Sequence, residues 1–537
     1  MKNKKKLLLI EPKCAAFSFG DMPFLRRVLN RPGGFMNASL ATIAALTPKE
    51  EFDIKIVDDK LDDIDFDAPW DIVGVTAITH IRAREIIAEF TRRGVLVVCG
   101  GSSVSLAPER WRPYADVLII GEAERIWPQF IADYLAGRHQ REYCETERFD
   151  LSITPVPDYS YFSKGVRGRY SIGIVQASRG CPFNCEFCDV INYVGRTMRY
   201  KPIDTIMREI EQIHRLDMNI ICLADDNFSA NREKATEILK AIRDWNRRQR
   251  QPVNFFTQLS IDVAQDDDFL RLAVEANLLN VLIGIESPNI ESLKETRKFH
   301  NVRSDMIADL KKIQQFGIHM TGATIVGFDH DDLSIFRQHL DFHKKSGIPK
   351  IQVYPLQASD GSALKQRLIR EGRYRDPDMH ITGDPMLANP HNTFSLVPKQ
   401  MTIDQLRDGT LWLLWQLYQA DNLVERVNTF FENFNNSPYR HDLHITKPSL
   451  NRRAIVALWR FLRYYLFKVS REDRKTINRL LRIARRSTHP RSSVIAMASY
   501  FTMLDVRNFL RFQEPQIENL AYPGEGVCAT ERPIENK

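Results

Sequence analysis

Three cysteines within eight residues, Cys181, Cys185 and Cys188, constrain this chain more than any other feature. They follow an apolar run over residues 170–177 and a turn-like Ser-Arg-Gly, which predicts a loop directly after a strand. A four-iron cluster needs a sulfur ligand for each iron. Three close cysteines without an evident fourth therefore predict a [4Fe-4S] cluster with one iron open to another molecule.

Zinc binding, disulfides and core packing are the alternative uses of these cysteines. A structural zinc site normally has four Cys or His ligands in paired short spacings, and the chain has no second Cys-x2-Cys pair. With 8 cysteines in 537 residues and no stretch like a secretory leader, the sequence is typical of a reducing compartment. We therefore expect a cluster, in a cytoplasmic protein.

The length of the chain predicts about three domains. Its net charge of +7 is modest and does not require nucleic acid as a partner. The apolar tetrad at residues 7–10 is too short for a signal-peptide core or a membrane span. We expect it to form a buried first strand.

The first domain is expected over residues 1–137, where short apolar runs alternate with helical patterns. Strands are predicted at 7–10, 54–57, 72–76, 95–98 and 117–120, and helices at 34–46, 81–93 and 126–135. Such alternation predicts α/β architecture with a doubly wound parallel sheet. Ligands of these sheets bind at the carboxyl ends of the strands.

Glycines and hydroxyl or carboxyl side chains follow three of these strands. Glycine lets a ligand approach the backbone, and polar side chains supply hydrogen bonds to it. A single Gly-Gly after a strand is more often only a turn, but three clusters at successive strand ends favour a ligand. The candidate contacts are Thr76, Gly100, Gly101, Ser102, Gly121 and Glu122.

Residues 138–169 are expected to form a linker, and a second α/β domain is expected over 170–370. Its predicted strands are 171–176, 220–223, 253–258, 281–285, 321–326 and 351–356. Six βα units predict a partial (β/α)6 barrel, whose chemistry belongs at the carboxyl ends of the strands. Polar residues follow those strands at Asp225, Asp226, Ser260, Asp262 and Glu286. Each alone is more typical of a helix cap or a solvated loop.

A mainly helical C-terminal domain is expected over 371–522, followed by a disordered tail at 523–537. Helices are predicted at 403–419, 423–433, 450–469, 471–486 and 492–512. The third mixes aromatic and basic residues, which suits a lipid or an anionic membrane surface. A helix packed on its neighbours with a solvated basic face is the more usual explanation of the pattern. Nucleic acid is a further but less favoured partner.

The motifs Cys181-x3-Cys185-x2-Cys188, Asp225-Asp226-Asn227 and Gly284-Ile285-Glu286 resemble the radical S-adenosylmethionine (SAM) superfamily. The resemblance implies that SAM chelates the open iron and that the reduced cluster cleaves it to a 5'-deoxyadenosyl radical. It also implies SAM contacts from the aromatic Phe187 and from the strand ends of the barrel. Those contacts are Phe187, Asp225, Asp226, Ser260, Glu286 and Gly327.

The first domain resembles the cobalamin-binding domain that precedes the radical SAM core in one large class. After its first strand the chain reads Glu-Pro-Lys-Cys-Ala-Ala at 11–16, without the Asp-x-His-x-x-Gly motif whose His binds cobalt. The resemblance therefore implies cobalamin held without a lower protein ligand.

Within this class, residues 7–370 look particularly like the subgroup that includes hopanoid C-2 methylases. This resemblance implies cobalamin-dependent methylation of an unactivated carbon in a lipid-like substrate, with a reductant such as flavodoxin or ferredoxin. Two alternatives stay open, namely cobalamin-free radical chemistry that forms C–C bonds or rings, and an iron–sulfur protein that senses redox state.

Overall fold

The computed structural model describes residues 4–13, 23–77, 80–376, 394–448 and 452–523. Cys14, Cys528 and nearly all of the predicted tail at 523–537 lie outside these ranges.

Fifteen strands form three sheets within the described residues. They are β1 (Lys5–Glu11), β2 (Gly33–Phe35), β3 (Phe52–Asp58), β4 (Ile72–Thr76), β5 (Leu96–Gly100), β6 (Val117–Ile120), β7 (Glu142–Cys144), β8 (Tyr170–Val175), β9 (Ser178–Arg179), β10 (Arg199–Tyr200), β11 (Ile220–Leu223), β12 (Asn254–Leu259), β13 (Leu278–Glu286), β14 (His319–Val326) and β15 (Lys350–Pro355).

The α-helices are α1 (Pro23–Leu29), α2 (Ala38–Leu46), α3 (His80–Arg92), α4 (Ser102–Leu106), α5 (Ala123–Leu135), α6 (Val190–Tyr193), α7 (Ile203–Arg215), α8 (Arg232–Asn246), α9 (Asp267–Glu275), α10 (Ile290–Glu295), α11 (Met306–Gln315), α12 (Ile335–Ser346), α13 (Ala363–Arg370), α14 (Ile403–Leu417), α15 (Ala420–Asn435), α16 (Arg452–Phe467), α17 (Arg471–Arg486) and α18 (Ser492–Gln513). None of the helices in the described part of the chain combines the length and apolarity needed to cross a membrane.

The first sheet is parallel, with strand order β3-β1-β4-β5-β6-β7. Successive side chains of a strand point to opposite faces, and β1 shows the result. Leu8 and Ile10 lie in the core cluster that contains the apolar residues of α3, whereas Leu7 and Leu9 lie in the cluster that contains those of α2 and α5. Helices on both faces confirm the doubly wound architecture.

Two short strands differ from the sequence predictions. Residues 34–46 were expected to be helical, but Gly33–Phe35 pairs with β8 and the helix starts at Ala38, capped by the Asn37 side chain. Glu142–Cys144, inside the expected linker, adds a sixth strand to the first sheet. A strand of three residues is too short to show an alternating pattern of side chains. These two strands are therefore recognised only by their pairing with neighbouring strands.

The second sheet is parallel and curled into a half-barrel, with strand order β15-β14-β13-β12-β11-β8-β2. Six of its strands are those expected from the sequence, and β2 is a seventh contributed by the N-terminal segment. The carboxyl ends of β8 and β11 to β15 therefore lie along one rim.

The C-terminal region is helical, as expected, and it is bound to the outer strand of the half-barrel. The Tyr418 hydroxyl, just after α14, donates to the carbonyl of Ile351 in β15 at 2.8 Å. The buried Arg426 of α15 donates to the carbonyls of Ile348 (2.9 Å) and Leu417 (2.6 Å). These bonds satisfy the buried guanidinium, since an unpaired one would be costly.

Candidate functional site

The three cysteines lie on a loop between β9 and α6, which follows β8 at the rim of the half-barrel. Antiparallel pairing of β9 with β10 closes the base of the loop. Gly180 has φ 104°, and a Cβ there would collide with the carbonyl of Thr197. The Cys181 N–H donates to the Gly195 carbonyl at 3.2 Å. The backbone thus fixes where the first cysteine stands.

Cys185 is buried, and Cys181 and Cys188 are partly buried. Desolvation raises the pKa of all three thiols, that of Cys188 to about 12. The thiols interact electrostatically with one another and with the Lys298 and Asp226 side chains. Metal ligation would convert such neutral thiols to thiolates.

No group of three or more His, Cys, Asp or Glu side chains among the described residues is spaced to hold a single metal ion. In a four-iron cluster each cysteine binds a different iron, so cluster ligands stand farther apart than the ligands of one ion. The three desolvated thiols on one glycine-supported loop suit the cluster that the cysteine spacing predicts.

The two carboxylates after β11 both bind the backbone of the cysteine loop. Asp225 accepts hydrogen bonds from the N–H and the hydroxyl of Ser178. Burial raises its pKa to about 7. Asp226 accepts from the Gly180 N–H at 3.1 Å. Of these two predicted SAM contacts, Asp225 is fully buried, whereas Asp226 is partly exposed beside Cys181.

Glu286 ends β13 in a left-handed conformation (φ 61°) and forms a buried ion pair with Lys298. The Asn301 amide donates to the carbonyls of Gly284 (2.8 Å) and Ile285 (3.0 Å), which supports the bent end of the strand. Burial alone would lower the pKa of Lys298, but the Glu286 carboxylate and the Cys185 thiol raise it. Lys298 was not predicted as a site residue, since nothing in its local sequence pattern marks a buried cation.

Ser260 belongs to a buried polar cluster that joins two strand ends. Its hydroxyl accepts from the Asn227 amide at 3.0 Å, and its N–H donates to the Ser229 hydroxyl at 3.1 Å. Asp262 is half exposed and lies 3.4 Å from Arg232. The structure therefore places Ser260 in the rim and shows no such role for Asp262.

Phe187 and Gly327 come together at another part of the rim. The Phe187 ring lies 6.2 Å from the ring of Phe328, centroid to centroid. Gly327 has φ 99°, and its N–H donates to Asp331 at 2.9 Å. The aromatic residue next to Cys188 thus packs beside the strand end predicted to approach SAM.

Arg367 of α13 clamps the cysteine loop to the end of β14. It donates to Glu186 at 2.8 Å and to Asp329 at 2.6 Å. Glu186 lies between Cys185 and Cys188 in sequence, so this clamp holds the second half of the loop. Its partners are 181 and 38 residues away in sequence, which is why sequence analysis did not find it.

The three strand ends that the sequence predicts as a ligand edge lie side by side in the first sheet. Thr76 pairs in register with Gly100, and Gly101 (φ 115°) leads into α4, which starts at Ser102. The N–H of Gly121 donates to the Ser105 hydroxyl at 2.8 Å. These backbone turns bring the three strand ends together at one edge.

Glu122, predicted as a ligand contact, has a saturated carboxylate. It accepts from Arg179 (2.7 Å), from Arg199 (2.8 Å) and from the Phe149 N–H (3.0 Å). Burial would raise its pKa, but the two guanidinium groups lower it overall. Its role as a ligand contact stays a prediction. Its contacts tie the end of β6 to the two-stranded sheet of β9 and β10, at the base of the cysteine loop.

The ligand edge of the first sheet faces the cysteine loop. Arg179, two residues before Cys181, binds Glu122 and also Glu124 at 2.6 Å. Helix α4 contacts α6, the helix that follows Cys188. The two edges that the sequence assigns to different cofactors therefore adjoin. Nothing in the local sequence gives Arg179 or Arg199 a role, because the carboxylates that they bind lie 55 to 77 residues away in sequence.

Two family models match this chain. Residues 175–343 match the radical SAM superfamily, and residues 362–510 match a domain of unknown function. An uncharacterized methyltransferase of Synechocystis sp. is 30% identical over 75% of this chain and 73% of its own length. The hopanoid C-2 methylase of Rhodopseudomonas palustris is 29% identical over 79% of each chain.

The fold is also similar to that of a solved structure. The radical SAM methyltransferase TsrM of Kitasatospora setae, solved with cobalamin and a [4Fe-4S] cluster bound, superimposes with a TM-score of 0.58. The match covers 94% of this chain and 100% of TsrM at 14% identity. This match supports the overall fold, in which the first sheet is followed by the half-barrel and then by a helical C-terminal region.

Proposed function

This chain belongs to the radical SAM superfamily, and we propose that it is a cobalamin-dependent C-methyltransferase. Its relatives include proteins that are named as methyltransferases. Its relatives support the reaction class. The cobalamin and [4Fe-4S] cluster bound to TsrM support two of the proposed cofactors, and membership of the radical SAM superfamily supports SAM. The proposed cofactors are one [4Fe-4S] cluster, SAM and cobalamin.

The observation that carries the proposal is the junction between the two ligand edges. Arg179 reaches from the cysteine loop to Glu122 and Glu124 at the end of β6. Methyl transfer between two cofactors and one substrate carbon needs their reactive atoms close together. The proposed cobalamin edge of the first sheet lies beside the cysteine loop, which is proposed to hold the cluster. The two cofactors would therefore be close together.

We assign the residues of the half-barrel as follows. Cys181, Cys185 and Cys188 hold the cluster, while Asp225 holds their loop through Ser178. Asp226, beside Cys181, offers a carboxylate to the SAM amino group. Glu286, whose carboxylate pairs with Lys298, is a further proposed SAM contact. When bound, the reduced cluster and SAM supply a carbon-centred radical, and cobalamin supplies the methyl group. Packing of Phe187 against Phe328 covers part of the rim and would help to keep water from the reacting groups.

We propose a lipid-like substrate with an unactivated carbon, on the strength of the 29% identity to the hopanoid C-2 methylase. Reduction of the cluster requires a one-electron donor, and we propose flavodoxin or ferredoxin for this role. A cytoplasmic location stays a prediction from cysteine usage.

Anaerobic purification with cobalamin supplied tests the proposal. We expect near-stoichiometric cobalt, four irons per chain, and 5'-deoxyadenosine formation when reductant and SAM are added. Cys185→Ala should abolish the cluster and SAM cleavage. Cys144→Ala, at an exposed cysteine on β7, is the matched control and should keep both.

Two outcomes would redirect the assignment. SAM cleavage without cobalt would favour cobalamin-free radical chemistry, and the first sheet would then be a scaffold. A cluster that forms without any SAM cleavage would favour an iron–sulfur sensor. Retention of the cluster in Cys185→Ala would contradict the assignment of the cysteines.

A further inference from the structure

Helix α16 exposes an apolar face to solvent. Five large side chains recur at positions i, i+3, i+4, i+7 and i+11, so they form one stripe along the helix. Their exposed fractions lie between 46% and 58%. This apolar stripe consists of Ile455, Leu458, Trp459, Leu462 and Leu466.

The same helix is also apolar on its inner face. Ala457, Phe461, Tyr464 and Tyr465 pack against the large core cluster. The sequence suggested a helix packed on one side with a solvated basic face on the other, and the outward face instead carries the stripe. A helix that needed only to pack on its neighbours would not need two apolar faces.

The stripe is unusual within the described surface. Other exposed apolar side chains, such as Ile153, Ile290 and Ile369, stand singly on separate elements. Single exposed apolar residues are normal, but contiguous patches mark interaction sites.

A basic groove of about 1060 Å³ runs beside the stripe, between α16 and the segment that contains α1. No carboxylate is found among the described residues that line it. Arg460 donates to the Arg27 carbonyl at 3.0 Å, and the Arg463 guanidinium lies 5.7 Å from the centre of the Trp459 ring. The positive side chains that line the groove are Arg26, Arg27, Arg31, Arg460, Arg463 and Lys468.

We propose that α16 and the basic groove form a docking surface for an anionic lipid bilayer. The apolar stripe would enter the boundary between headgroups and acyl chains, and the basic groove would contact lipid phosphates. Charge complementarity and the apolar stripe together favour anionic lipid over two other occupants, a second copy of the chain and nucleic acid. Two copies of the chain paired through this face would bring two basic grooves together, and nucleic acid would leave the apolar stripe without a partner.

Flotation of the full-length, anaerobically purified protein with vesicles tests this surface. We expect binding to vesicles of phosphatidylglycerol and phosphatidylcholine in equal parts. Binding should weaken as salt is raised, and phosphatidylcholine alone should bind far less. The double substitution Trp459→Glu with Leu462→Glu should weaken binding by at least about tenfold, since it removes two anchors and adds two negative charges.

The double substitution Ile153→Glu with Ile369→Glu is the matched control. It also places two carboxylates at exposed apolar positions, but on other elements, and it should bind like the unchanged protein. Circular dichroism checks that both variants are folded, and neither variant touches the cysteine loop.

Three outcomes would overturn the proposal. They are no binding of the unchanged protein to anionic vesicles, equal binding by the stripe variant, and equal losses in both double variants. A dimer that the stripe variant dissociates, seen by sedimentation without vesicle binding, would instead assign the surface to a second copy. None of these readouts depends on cofactor content, so they are independent of the proposed reaction.

Discussion

Lys298 shows at the scale of one residue how the rim depends on buried charge. Its ammonium pairs with Glu286, and both side chains are about nine-tenths buried. Removing one member of a buried pair leaves the other charge without compensation. We expect Lys298→Met to lower the free energy of unfolding by about 3–5 kcal/mol, measured by chemical denaturation.

The same substitution at an exposed pair is the control for Lys298. Lys294 pairs with Glu291 at 2.7 Å on α10, where both side chains are at least half exposed. Lys294→Met should cost about 0–1 kcal/mol. SAM cleavage should fall in Lys298→Met and stay unchanged in Lys294→Met. Equal effects of the two substitutions on stability would contradict the role given to the buried pair.

At the scale of an element, the cysteine loop depends on Gly180. Its φ of 104° is unfavourable for any side chain, and a Cβ would also collide with the Thr197 carbonyl. We expect Gly180→Ala to cost at least about 2 kcal/mol and to displace the loop. The iron content after anaerobic reconstitution should fall with it, because Cys181 is the next residue.

Gly165→Ala separates the two effects at Gly180. Gly165 also has positive φ (69°), but no atom lies within 4 Å of where its Cβ would be. This substitution should cost only about 1 kcal/mol and should leave iron content unchanged. If Gly180→Ala keeps full iron content, then the collision with Thr197 does not control the shape of the loop.

The elements themselves were largely predictable from the sequence, whereas their long-range contacts were not. Buried parallel strands read as apolar runs, so β1 and β11 to β15 were found to within a few residues. The three-residue strands β2 and β7 depend on their partners and were missed. The cysteines were found from spacing, but Lys298, Arg179 and Arg367 owe their roles to partners that only the folded chain brings close.

At the scale of the whole molecule, the first sheet meets the two-stranded sheet of β9 and β10, which lies at the base of the cysteine loop. Arg179 binds Glu122 and Glu124 at once, and the two carboxylates are almost fully buried. Arg112, by contrast, pairs with Glu142 at the surface of the first sheet. Substituting the two arginines therefore compares a buried ion pair that joins two sheets with an exposed ion pair within the first sheet.

Arg179→Met should loosen the two sheets from each other. Two buried carboxylates would lose a shared cation, so we expect a loss of about 3–5 kcal/mol and faster hydrogen exchange in residues 120–124 and 178–181. Arg112→Met should cost about 0–1 kcal/mol and leave exchange there unchanged. Because the junction aligns the two proposed cofactor edges, Arg179→Met should still bind each cofactor but lose methyl transfer. Unchanged exchange at both segments would show that packing of α4 on α6 holds the sheets without the arginine.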